Sequence, residues 1–138
     1  MKQPEDIKQE FTRQWLEKAE RDYKTSGHLL SVEGMYLEAV AFHAQQAAEK
    51  YLKALLVWHQ AEFPKTHDIN LLFTLLSNIE PGLAAILAEA AILTAYAVEY
   101  RYPGDYPDVT RKDAEEAFEI AGRVRQAILQ RLPKYIFS

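Results

Sequence analysis

Apolar residues recur every three or four positions along most of the chain, which is the spacing of helices with one buried face. Glycine and proline interrupt this pattern at Gly34, Pro64, 81–82, 103–107 and Pro133. No segment shows the strict alternation of apolar and polar residues that marks a half-buried strand. The pattern therefore predicts five helices and no strands.

The first two predicted helices span residues 5–32 and 36–60. The third begins with Thr66 as its N-cap, and the fourth follows a proline–glycine pair. The fifth opens with Thr110 and Asp113, which are spaced as in a capping box. The last three predicted helices therefore each have a start signal of their own.

Each predicted helix also has one side that is predicted to face inward. On the first predicted helix these residues are Phe11, Trp15, Ala19, Tyr23, Ser26 and Leu30, and on the second they are Leu37, Ala41, Ala44, Ala48, Tyr51, Leu55 and Trp58. On the third helix they are Ile69, Leu72, Phe73 and Leu76, and on the fourth Ala84, Leu87, Ala91, Thr94 or Ala95, and Val98. On the fifth helix they are Ala114, Ala117, Ala121, Val124 and Ile128. Mostly short connections then predict an all-α fold, an up-and-down antiparallel bundle of four to five helices. We expect one domain over residues 1–138.

Composition narrows the chemistry that this bundle can carry. The chain has no cysteine, which excludes disulfides, thiolate zinc sites and cysteine nucleophiles. Its four histidines show no metal-binding spacing, so we expect no metal and no other cofactor. The formal net charge of −4 means that any contact with nucleic acid must come from a local basic patch.

The chain lacks the apolar segments that membranes require. Its N-terminal residues contain no apolar signal core, and the longest apolar stretch, residues 83–98, is too short and too polar for a membrane span. We therefore expect a cytoplasmic protein that makes no membrane contact.

One group of polar residues recurs along the second predicted helix. His43, Gln46, Lys50 and Lys53 are separated by steps of three and four, so they form one ridge. The ridge could bind a phosphate-bearing ligand, or it could be a solvated helix face in which Glu49 and Lys53 form an ordinary i,i+4 pair.

His67 has two open interpretations as well. It stands between Thr66 and Asp68 at a predicted helix N-terminus, where backbone N–H groups can hold an anion. The same residues can instead cap the helix and satisfy its free amides.

A third group of candidate residues lies near the end of the fourth predicted helix. Tyr100, Arg101 and Tyr102 are adjacent, and Tyr96 lies one helical turn earlier. Aromatic rings beside an arginine can stack a base and bind its phosphate. They can equally be buried at a dimer interface with their hydroxyls at the rim.

Several blocks of the sequence resemble one known family. Residues 42–56 read F-H-A-Q-Q-A-A-E-K-Y-L-K-A-L-L, residues 66–68 read T-H-D, and residues 100–103 read Y-R-Y-P. Together with Gly34, these blocks resemble the core of the HEPN domain family. The resemblance implies a four- or five-helix bundle that is often a homodimer. It also implies a possible partner, since many members act with a minimal nucleotidyltransferase.

Some HEPN proteins are ribonuclease toxins, and this chain departs from their motif. That motif is an arginine followed, after four to six residues, by a histidine near the start of a late helix. The resemblance places the active arginine near Arg101, but no histidine follows His67 anywhere in the sequence. Arg21 and His28 match the spacing, but they lie on the first predicted helix and share an exposed face. Without a late imidazole, proton transfer near neutral pH lacks its usual carrier.

These observations lead to one main functional hypothesis and two alternatives. The main hypothesis is a non-catalytic HEPN protein that binds a nucleotide or nucleic acid, such as RNA, and acts with a minimal nucleotidyltransferase in a toxin–antitoxin or related system. The alternatives are a metal-independent endoribonuclease that uses Arg101, and a purely structural oligomerisation module. The candidate ligand-binding residues are Arg101, Tyr100, Tyr102, Lys50, His43, Gln46 and His67.

Overall fold

The computed structural model of the chain describes residues 3–32, 36–97 and 108–137. Five α-helices lie in these ranges: α1 (Pro4–Ser31), α2 (Leu37–Trp58), α3 (Ile69–Ser77), α4 (Ala84–Ala90) and α5 (Arg111–Leu129). Short 3₁₀ helices occur at Pro81–Leu83, Ala91–Tyr96 and Lys134–Ile136. These ranges contain no strand, so the prediction of an all-α bundle is confirmed.

The central element of the bundle is α2, which is buried on most of its sides. The predicted seam is confirmed over its middle, where Ala41, Ala44, Ala48, Tyr51 and Leu55 are fully buried. The end of α1 contacts the start of α2, where Ser26 donates a hydrogen bond to the Val40 carbonyl. The start of α1 contacts the end of α2, where Lys8 lies over the Trp58 ring. The two long helices are therefore antiparallel.

The fifth helix closes the bundle against both α1 and α4. Arg111 near its start bonds to the carbonyl of Leu30, and Arg125 near its end bonds to Glu20. This order makes α5 antiparallel to α1. The ion pair between Arg123 and Glu89 joins α5 to α4.

The caps confirm one sequence prediction and correct another. Thr110 and Asp113 form the expected capping box at the start of α5. At α3, the N-cap is Asp68, whose side chain accepts a hydrogen bond from the Asn70 N–H. Thr66 was therefore the wrong N-cap, and its hydroxyl accepts from the Asp68 N–H instead. The backbone is still extended at Asp68, so the helix starts later than expected.

Two predicted faces also need correction. Phe11 is 50% exposed, because the buried side of α1 is formed by Thr12, Leu16 and the predicted Ala19 and Ser26, and Phe11 lies at its edge. The fourth helix becomes a 3₁₀ helix after Ala90. With three residues per turn, its buried stripe then follows steps of three to Leu93 rather than steps of four.

The end of α2 has a feature that the apolar pattern does not show. Gln60 has a φ of 56°, in the left-handed region that glycine usually occupies. The Ala61 N–H bonds to the Leu56 carbonyl, and the Gln60 N–H bonds to the Val57 carbonyl, which is a Schellman arrangement. This turn sends the chain back along α2 towards Thr66.

Within residues 3–32, 36–97 and 108–137, no helix combines the length and the apolar character that a membrane crossing requires.

Candidate functional site

Four polar side chains of α2 are buried together, and one of them is a carboxylate that the others contact. Glu49 is only 1% exposed. Its Oε1 atom accepts a hydrogen bond from Lys53 Nζ at 2.7 Å, and its Oε2 atom accepts from Gln45 Nε2 at 3.1 Å and Gln46 Nε2 at 3.4 Å. His67 Nδ1 lies 2.9 Å from the same Oε2 atom. We call these five residues the Glu49 network.

The Glu49 network fastens the loop between α2 and α3. Besides its bond to Glu49, Lys53 donates to the Thr66 carbonyl at 2.9 Å. Gln45 donates to the His67 carbonyl at 3.3 Å. These bonds draw the loop onto α2 and remove both charges of the Glu49–Lys53 pair from water. The interpretation of this pair as an ordinary exposed pair is therefore wrong.

A second acidic residue joins α1 to α2. Asp22 of α1 contacts His43 Nδ1 through its Oδ1 atom at 2.9 Å, and its Oδ2 atom accepts a hydrogen bond from Lys50. All three side chains are largely buried but reach the surface. His43 and Lys50 therefore converge on one carboxylate at the α1–α2 contact.

Between these two acidic groups lies a cleft of about 430 Å³, which we call the α1–α2 cleft. Its walls come from both helices and from His67. The lining residues are Trp15, Lys18, Arg21, Asp22, Gln46, Glu49, Lys50, Lys53 and His67. Four cationic side chains face two carboxylates, so the cleft has a formal charge of +2 in a chain of net charge −4.

The cations of the α1–α2 cleft fall into two kinds. Lys50 and Lys53 are paired with Asp22 and Glu49. Lys18 and Arg21 are exposed, and neither forms an ion pair with any residue in the described ranges. Exposed cations without a carboxylate partner leave positive charge that an anionic ligand can neutralise.

An aromatic ring forms one wall of the α1–α2 cleft. Lys53 Nζ lies 5.2 Å and Lys18 Nζ 5.6 Å from the centroid of the Trp15 ring. Phe63 meets the same ring edge-on, with 6.3 Å between the ring centroids. The indole is half-buried, so part of its surface remains open to a ligand.

On the other side of α1, Glu20 ties three helices together. It accepts hydrogen bonds from Tyr51 of α2 and from two nitrogens of Arg125 of α5. Burial raises the pKa of Glu20, but the hydrogen bonds from Arg125 and Tyr51, together with the positive charges of Arg125 and Lys24, bring the pKa below its ordinary value. Burial and the bond to Glu20 raise the pKa of Tyr51 far above its ordinary value. This group stabilises the bundle in its charged form.

The HEPN domain family model matches residues 12–132. The chain belongs to the HEPN domain family. No curated protein matches the sequence.

Two solved structures are similar to this HEPN domain. TT1696 from Thermus thermophilus is 27% identical, with a TM-score of 0.70 over 88% of this chain and 98% of that chain. ST0689, an archaeal HEPN homologue, is 30% identical, with a TM-score of 0.68 over 87% of this chain and 96% of that chain. Both likenesses span nearly the whole HEPN domain.

The sequence blocks that resembled the HEPN family have a structural role in this domain. Gln45, Gln46, Glu49 and Lys53 come from the first block, and His67 comes from the T-H-D block. Together they form the Glu49 network. The spacing of the two blocks is therefore the spacing that lets the loop return to α2.

The structure brings together some of the predicted site residues. Gln46, Lys50 and His67 line the α1–α2 cleft, and His43 lies beside it on Asp22. His67 contacts Glu49 and does not cap α3, which is the role of Asp68. The other predicted site residues, Tyr100, Arg101 and Tyr102, lie outside the described residues.

Sequence reasoning missed the contribution of α1 to the cleft. Trp15 was expected to be a core residue, and Lys18, Arg21 and Asp22 were not considered as a ligand site. A signal was present, because Trp15, Lys18 and Asp22 follow steps of three and four and so share a side of α1. Only the packing of α1 on α2 places that side opposite Lys50 and Lys53.

Proposed function

We propose that this HEPN domain binds a nucleotide or nucleic acid in the α1–α2 cleft and does not catalyse a reaction on it. The observation that supports this proposal is the combination of unpaired cations and an indole in one cleft. Phosphate groups are dianionic or monoanionic and bind lysine and arginine, whereas bases stack on aromatic rings. Few other common ligands use both features.

The dimensions of the cleft fit such a ligand. Its volume of about 430 Å³ lies in the usual range for small-molecule sites. A base against Trp15 would place its phosphates towards Lys18, Arg21 and Lys50, which all line the same space. Gln46 and His67 offer polar groups at the floor and rim of the cleft.

The proposal of a non-catalytic domain rests on the histidines. The sequence has none after His67, so the arginine–histidine motif of the ribonuclease members is missing. Arg101 of that motif lies outside the described residues, and the ribonuclease alternative stays a prediction. An RNA cleavage assay in EDTA that compares the wild type with Arg101→Ala tests it, and cleavage that depends on Arg101 would contradict the non-catalytic proposal.

We also propose a protein partner, on the basis of family membership. HEPN domains commonly dimerise, which favours a homodimer in solution. The finer proposal is that a minimal nucleotidyltransferase is the partner in a toxin–antitoxin or related pair. Co-purification with the product of a neighbouring nucleotidyltransferase gene tests it, and light scattering tests the dimer. A monomer at high micromolar concentration would count against both the dimer and the oligomerisation module.

Calorimetric titration with a nucleoside triphosphate and with a short oligonucleotide tests the binding proposal. The double variant Lys18→Ala/Arg21→Ala should weaken binding about tenfold or more, because it removes both unpaired cations of the cleft. The matched control is Lys112→Ala/Lys134→Ala, which removes two exposed cations elsewhere. Absence of binding by the wild type, or equal binding by the two double variants, would end the proposal.

A further inference from the structure

The first three turns of α1 carry two exposed apolar side chains. Phe11 is 50% exposed and Ile7 is 40% exposed. They lie one and two helical turns before Trp15, since positions 7, 11 and 15 are separated by steps of four. Lys18 and Arg21 follow at steps of three. We call Ile7, Phe11, Trp15, Lys18 and Arg21 the α1 track.

The sector of α1 that carries the track contains two cations, Lys18 and Arg21, and one carboxylate. At 100° per residue, the α1 track occupies a sector of about 120°. The neighbouring side has both signs of charge, since Asp6, Glu10 and Glu17 lie there with Arg13 and Lys24. Asp22 lies inside the sector of the track, and Lys50 already neutralises it. An anionic ligand can therefore follow a side of α1 whose carboxylate already has a cationic partner.

We propose that the ligand of the α1–α2 cleft is a single-stranded oligonucleotide that continues along the α1 track, with successive bases on Trp15 and Phe11. This inference rests on the proposed function, because it assumes that the cleft binds nucleotides. It adds the class of ligand. A mononucleotide has one base and would leave Phe11 without a role.

The spacing of the two rings suits an extended strand. Residues four apart in an α-helix are separated by about 6 Å along the axis. Bases stacked on one another are only about 3.4 Å apart. Two rings at the wider spacing therefore accept bases that are separated and stacked on protein side chains, as single-strand-binding proteins accept them. The phosphates at the other end meet Lys18 and Arg21.

The experiment measures affinity against ligand length by calorimetry. The probes are uridine monophosphate, hexauridylate and hexathymidylate, which do not pair with themselves. Both the wild type and Phe11→Ala are titrated. The control is Tyr135→Ala, which truncates another aromatic side chain of similar exposure, 52%, outside the track. Phe11 is half-exposed on a helix, so its replacement by alanine leaves the fold intact.

We expect a hexamer to bind more tightly than the mononucleotide. Phe11→Ala should weaken hexamer binding by about five- to 150-fold, the range for one lost base–aromatic stack, and should leave mononucleotide binding unchanged within about twofold. Tyr135→Ala should change neither. Hexamer affinity should also fall more steeply with salt, by about 0.7 log unit per log unit of salt for each phosphate bound.

The outcomes separate the inference from the proposed function. The inference would be overturned if the mononucleotide and both hexamers bound with equal affinity, or if Phe11→Ala left hexamer affinity unchanged. Either result would leave the proposed function standing. No binding of any probe would overturn the inference, and it would end the proposed function as well if the nucleoside triphosphate also fails to bind. Tighter binding of either hexamer than of the mononucleotide, with weaker hexamer binding by Phe11→Ala, supports the inference. A preference for hexauridylate would then identify RNA as the ligand. Equal affinities for the two hexamers would show that the protein recognises the base and the phosphate and not the sugar.

Discussion

Replacement of the buried Glu49 carboxylate by leucine isolates what the Glu49 network contributes to stability. Leucine has a similar volume, so Glu49→Leu removes the charge and the hydrogen-bond acceptor without opening a large cavity. Lys53, which is itself 6% exposed, then keeps its charge with the Thr66 carbonyl and the Trp15 and Phe63 rings beside it but without a carboxylate. His67 loses the carboxylate that holds its ring.

The size of the effect follows from this burial. Breaking a buried ion pair by removing one partner costs about 3–5 kcal/mol, because the remaining charge stays desolvated. A whole domain of this kind is stable by about 5–15 kcal/mol, so the loss is a large part of the total. With a urea m-value of about 2 kcal/mol per molar, the midpoint of unfolding should fall by about 2 M.

Urea unfolding, followed by far-ultraviolet circular dichroism, measures this loss. A second variant, Glu49→Leu/Lys53→Met, removes both charges and should recover about 2 kcal/mol or more relative to Glu49→Leu. The control is Glu119→Ala on the exposed side of α5, which should change stability by less than about 0.5 kcal/mol. A loss below about 1 kcal/mol in Glu49→Leu, or a double variant no more stable than the single one, would refute the reasoning.

Three further predictions concern pH dependence and helix ends. The pKa of Glu20 is below its ordinary value of 4.5, so its contribution to stability is present above pH 4.5 and is lost as pH falls through the folded-state pKa. Glu20→Gln should therefore cost about 1–2 kcal/mol at about pH 7. In urea titrations below pH 4.5 the difference in stability between this variant and the wild type should shrink, and a constant difference would contradict the charge assignment. Thr110→Ala should cost about 1 kcal/mol by removing the cap that binds the Asp113 N–H, and an unchanged unfolding midpoint would contradict that role. Gln60→Gly should stabilise the fold by up to about 1 kcal/mol and raise the thermal unfolding midpoint, since glycine adopts a φ of 56° without strain. A lower midpoint would show that the glutamine side chain contributes more stability than its backbone strain costs.

The sequence by itself determined the features that depend on neighbouring residues. The apolar spacing located the seam of α2, where Ala44, Ala48 and Leu55 are fully buried. The pair of Thr110 and Asp113 located the start of α5. Helix periodicity and capping hydrogen bonds involve residues three or four apart, so they are visible in a short stretch of chain.

Tertiary structure decided which polar residues are buried and which side of α1 forms a site. Glu49 and Lys53 have the spacing of an exposed pair, but the loop at Thr66 and His67 returns over them and excludes water. Phe11 was expected inside and is half-exposed, because it lies about 80° round the helix from the buried Ala19, at the edge of the buried side. The α1–α2 cleft exists only where two helices meet, and its charges come from residues about 30 positions apart. Burial and electrostatic potential depend on what packs against a residue, and the local pattern does not contain that information.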